Sequence, residues 1–186
     1  QADPKHEACA FSGEAIRLAG LLLRIFPGEP EIMGLLALML LQISRREARF
    51  NGENDIVLLE DQDRSLWHRA GMEEGGKLLD TALARRAPGP YQIQAAIAAL
   101  HAESVTTGQT DWPQIVALYQ SLLRVEPSPV VALNQAVAVA MAEGPQQGLD
   151  IIEAIARDGF LEGYLHFHWA RADLLRRLGR TEEARA

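Results

Sequence analysis

The sequence predicts an all-α chain, a right-handed array of antiparallel helix pairs. Three observations predict it. Apolar residues recur at helical spacing from one end to the other. From Pro88 onward, proline and glycine punctuate stretches of about a dozen residues, the length of a short helix. The chain is 48 % hydrophobic but only 6 % aromatic, so its core is aliphatic and Ala-rich, as packed helices are. Its 186 residues suit one domain or a short run of helical repeats, and a 23 % charged fraction with this much apolar content excludes a disordered segment.

Each element follows from local signals. Ser12 is a candidate N-cap for a first helix carrying Ile16, Ala19, Leu23 and Phe26, which Pro27-Gly28-Glu29-Pro30 stops. A second stripe runs Ile32, Leu35, Leu36, Met39, Leu40, Ile43, with Leu38 and Leu41 off it, so this helix is apolar nearly all round and belongs at the centre. Arg45, Arg46 and Arg49 close it, where cations suit the helix dipole. Asn51-Gly52 marks a turn. Asp55–Glu60 is a lone β-like run without a partner strand, and is expected to be an extended segment or one helical turn. A third helix is expected over about Arg64 to Arg86, with Trp67 buried and Asp63 capping it; Gly71, Gly75 and Gly76 point to close helix approach or a kink. Pro90, Pro129 and Pro145 each read as a first helical residue, Ser128 as a cap, and Asp111 with Gln114 as a capping box.

A repeat underlies the C-terminal half. Gly108, Gly144 and Gly179 follow one another at spacings of 36 and 35, near the tetratricopeptide period. Trp112, Ile115, Tyr119 and Pro127 echo that repeat's pattern, and Leu174–Arg180 its hairpin corner. The expected organisation is an N-terminal helical region, 1–87, packing on tetratricopeptide-like repeats, 88–186, in one continuous structural unit. Without an initiator Met, and with the last repeat ending at Ala186 a turn into its second helix, the chain reads as a fragment of something longer.

Charge limits the function classes. With 18 basic and 25 acidic residues the net charge is −7, so the chain has no basic face for phosphates and is not expected to bind DNA or RNA by itself. One cysteine, Cys9, cannot form an internal disulfide, which suits a reducing cytoplasm. The longest apolar run, Ile32–Ile43, is too short for a membrane span, and Gln1–Glu7 is too polar for a signal peptide. There is no phosphate loop, nucleophile elbow or zinc spacing; no enzyme activity, cofactor or metal is expected. The densest polar cluster is Glu60, Asp61, Gln62, Asp63 and Arg64. Helix capping or salt-bridge structure explains it most simply; partner contact, and cation binding or acid–base catalysis, are the alternatives. His166 and His168 point to different helix faces, unlike a zinc pair. Gln94, His101 and Asn134 lie in first helices of pairs, and read either as internal polar bridges or as groove residues that hold a partner's backbone.

The motifs Gly34–Leu41, Leu58–Ser65 with Trp67, Gly89–Ala102, Asp111-Trp112, Ser128–Ala140 and Leu174–Arg180 together resemble one family. It is the tetratricopeptide-like C-terminal extension of certain extracytoplasmic-function RNA polymerase sigma factors. Two positions depart from its pattern: His68 where an acid is common, and Gln135 where Arg is common. The resemblance implies a regulatory, protein-binding role, with sigma regions, core polymerase or a regulator as partner. DNA would be read by upstream regions absent from this chain. A free-standing helical-repeat scaffold unrelated to transcription is the alternative.

Overall fold

The computed structural model describes residues 4–49, 57, 61–104, 107–157, 159 and 161–184. Among them the chain is all-helical and its helices pack in pairs. It divides into two compact units, Gln1–Thr110 and Asp111–Ala186. The change of texture at Pro88 is therefore not where the first compact unit ends; that unit runs on through the next helix.

The first unit holds α1 (Pro4–Ile25), α2 (Pro30–Ile43), α3 (Arg69–Leu83) and α4 (Pro90–Glu103), with 3-10 turns at Arg46–Ala48 and Arg64–Leu66. Helix α1 starts at Pro4, well before Ser12, because proline is harmless in the first turn and no breaker follows it. Helix α2 is central as expected, touching α1, α3 and α4. Its deepest residues are Met33, Gly34, Ala37 and Leu41 rather than the large apolar stripe. Small side chains on that face let α3 and α4 come close. A Cβ on Gly75 would stand 3.0 Å from Leu41 Cγ and 3.2 Å from Ala37 O, which accounts for one of the three α3 glycines; Gly71 is likewise pressed on Ser44, whereas Gly76 has open space. The core here is Ala37, Leu41, Leu79, Ala95 and Ala98.

Helix α3 does not begin at Arg64. Asp63 instead accepts from the Ser65 N–H (2.9 Å) and caps the short 3-10 turn. Trp67 and His68 are extended, and the His68 N–H donates to Ser44 O at 2.8 Å. His68 is the true N-cap of α3, its Nδ1 accepting from the Gly71 N–H at 3.1 Å. An imidazole thus supplies this helix's cap acceptor.

The second unit holds α5 (Trp112–Val125), α6 (Pro129–Ala142), α7 (Pro145–Ala156), α8 (Leu165–Arg177) and α9 (Thr181–Ala184). Pro129 and Pro145 open their helices, as Pro90 does α4. Asp111 Oδ1 accepts from the Gln114 N–H at 3.0 Å, as expected of a cap. Ser128 occupies the cap position of α6 without a side-chain bond to it. Gly144 (φ 124°) and Gly179 (φ 76°) take backbone conformations that side chains resist, which explains glycine at those two corners. The core gathers Leu133, Ala136, Ala140, Leu149, Ile152, Phe167, Leu174 and Leu175.

Candidate functional site

The sequence candidates are divided between the two units. Glu60 lies outside the described residues, as does the Asp55–Glu60 run apart from Val57. Asp61 and Asp63 are exposed. Asn134 is exposed on α6, in the second unit; Gln94 is half-buried on α4, in the first. Gln62 is buried in the first unit, and Arg64 and His101 bear on a single place there, around Trp67.

Trp67 is 6 % exposed and lies next to two guanidinium groups. Arg64 Cζ is 4.7 Å from the indole centroid and Arg45 Cζ 5.4 Å, both within cation–π range. Arg64 is fixed from its far side: its Nη1 donates to His101 O (2.8 Å) and to Ser104 O, carbonyls at the C-terminal end of α4. Carbonyls at a helix C-terminus carry the negative end of its dipole, so a cation suits them. Gln62 is buried, its Nε2 donating to Val57 O at 3.0 Å.

The electrostatics are lopsided. Burial, with Arg49 and Arg64 nearby, pushes Arg45 down to about 10. Burial, with Arg45 and Arg64 nearby, pushes the His101 imidazole down to about 4, so it is neutral at pH 7. Among the described residues no ion pair joins an acid to Arg45 or Arg64. Buried donors at Arg45 Nε, Arg64 Nη2 and Trp67 Nε1 find no acceptor there. Sequence reading gave Arg45 only a helix-dipole role, because nothing local links it to residues 64 and 101.

A second surface lies on α1. Phe11, Leu18, Leu22 and Ile25 are all exposed, Phe11 at 76 %, and they recur at spacings of seven, four and three. That is the seam of a heptad helix, left in solvent. Beside it, a groove of about 340 Å³ between α1 and α2 is lined by Ser12, Ile16, Met39, Ile43, Arg46 and Arg49, among others. Among the described residues no helix is long and apolar enough to cross a membrane.

Residues 2–83 match the model of a family of unknown function, DUF6596. A protein of Rhizobium meliloti (strain 1021), described only as uncharacterized, is 53 % identical over 182 residues, which cover 98 % of this chain and 43 % of that protein. The chain therefore spans less than half the length of this relative. No solved structure matches.

Proposed function

We propose that this chain is a regulatory, protein-binding domain of an RNA polymerase sigma factor of the extracytoplasmic-function class. It tunes initiation through contacts with the sigma regions, core polymerase or a regulator. The motif resemblance supports this reading, and so does the match over residues 2–83, since that domain occurs C-terminal to sigma-70 regions in proteins of this kind. The observation that carries the protein-contact part is the exposed heptad seam of α1: Phe11, Leu18, Leu22 and Ile25 have an apolar face with no helix packed on it among the described residues. Such a face suits a second amphipathic helix. On this reading the domain works in the cytoplasm, needs no cofactor and leaves DNA to the sigma regions.

The test is a pull-down with the chain as bait against sigma regions and core polymerase. Capture is expected, and Leu18→Glu with Leu22→Glu should abolish it without changing the melting temperature. Capture of neither would favour the alternative, a helical-repeat scaffold outside transcription.

A further inference from the structure

The cluster around Trp67 plays no part in the α1 contact. It contains cations, an indole N–H and a neutral imidazole, in a chain whose acids outnumber its bases by seven. Elsewhere arginines readily find those acids: Arg17 pairs with Glu14, Arg171 with Glu153, Arg176 and Arg177 with Asp173, Arg180 with Glu183. Arg45 and Arg64, both partly buried, have no such pair among the described residues. Three N–H donors, on Arg45, Arg64 and Trp67, are shielded from water without an acceptor among the described residues. A donor in that condition is costly, and an acceptor-only group is what relieves it.

We infer that Arg45, Arg64 and the Trp67 indole N–H form a receptor for one oxyanion group, a carboxylate or a phosphate. The donor set suits this class. Guanidinium forks match the paired oxygens of both groups, and Arg64 is already oriented by the α4 carbonyls, leaving Nη2 as its donor to spare. A nucleic-acid backbone does not fit, because its affinity rests on many phosphate contacts over a basic face, and this chain is acidic. The site stands whether or not the chain serves a sigma factor.

The test uses the whole chain, with inorganic phosphate and acetate as separate probes against sodium chloride at matched ionic strength. Each is raised to about 0.1 M, where exposed pairs are already screened. The melting temperature should rise by about 3–5 °C once the bound anion exceeds its Kd tenfold. A rise with phosphate alone, acetate alone or both supports the site and tells which source it prefers. The indole Nε1–H resonance, assigned to Trp67 by its loss in Trp67→Phe, should move with the same anion. Arg45→Gln should abolish both responses, while Arg24→Gln on the exposed face of α1 keeps them. The inference is overturned if neither anion exceeds chloride, or if Arg45→Gln responds like wild type.

Discussion

His101 is held neutral by burial and by the two arginines beside it, at about 4 against an ordinary value of 6.5. The folded state therefore resists the proton that the unfolded chain accepts. This group's contribution is full above the unfolded value and is lost as pH falls from 6.5 towards 4. The loss is at most about 3 kcal/mol, from the size of the shift. Urea midpoints at pH 7 and pH 4.5 should differ more for wild type than for His101→Gln, which cannot titrate; equal differences would refute the assignment. Glu31 makes a second residue-scale case. Its carboxylate reaches from α2 to the first turn of α4, accepting from the Tyr91 N–H (3.0 Å), the Gln92 N–H (3.2 Å) and Gln92 Nε2 (2.8 Å). Gly89 leaves room for it, since a Cβ there would overlap the carboxyl, and Gln92 is wholly buried beneath it. Glu31→Ala should cost about 1–3 kcal/mol, read by denaturant melts, because it strips a charged cap and leaves a buried amide short of a partner. The burial of Trp67 and the cap at Asp111 were legible from type and spacing. Neither Glu31 nor Arg45 was, because their partners lie tens of residues away and no local pattern encodes a cap supplied by another helix.

Helix pairs in both units are set by glycines and alanines at the crossings, and two glycines of opposite kind test this. Gly148 on α7 faces α6 so closely that a Cβ would stand 2.5 Å from Ala140 Cβ and 2.6 Å from Ala136 O. Ala136 O is backbone and cannot swing away, so Gly148→Ala should destabilise by about 1–3 kcal/mol through overpacking. Gly76 on α3 has nothing within 4 Å of that position. Gly76→Ala should therefore stabilise by up to about 1 kcal/mol, the helix-propensity difference alone. Calorimetry of the two variants should move in opposite directions; if both fall, crossing distance is not what separates them. The helices themselves were readable from 3.6-residue periodicity, and their starts at Pro90, Pro129 and Pro145 from proline chemistry. The start of α3 was not, because Asp63 offers a sound cap but the turn it caps is only Arg64–Leu66. Burial of Trp67 and the His68 N–H bond to Ser44 O then hold the chain extended before the helix begins. On α2 the apolar stripe marked a central helix correctly. It did not mark the deepest face, since close approach selects Gly34 and Ala37 over larger side chains.

At the scale of the whole molecule the all-helical class followed from composition and periodicity, while the extent of the first unit did not. Texture changes at Pro88, where helices become short and punctuated. Packing does not follow texture, because α4 supplies Ala95 and Ala98 to the same core as Ala37, Leu41 and Leu79. Glu31 ties the start of α4 to α2, and Arg64 ties its end to the 3-10 turn before α3. A fragment ending at Thr110 keeps every one of these contacts. One ending at Gly89 loses α4, uncovers the apolar face formed by Ala37, Leu41 and Leu79, and leaves the Glu31 and Arg64 side chains without the groups they hold. The longer fragment should melt as one cooperative transition by circular dichroism, and the shorter one broadly and at least about 10 °C lower, as expected when several kcal/mol are removed from a domain of this size. Equally sharp melts would mean that α4 is not part of the first unit. The outcome also decides how regulation is tested. A deletion from Pro90 would damage the first unit, so lost transcription could reflect misfolding, whereas a deletion from Asp111 removes the second unit with the first one's core intact.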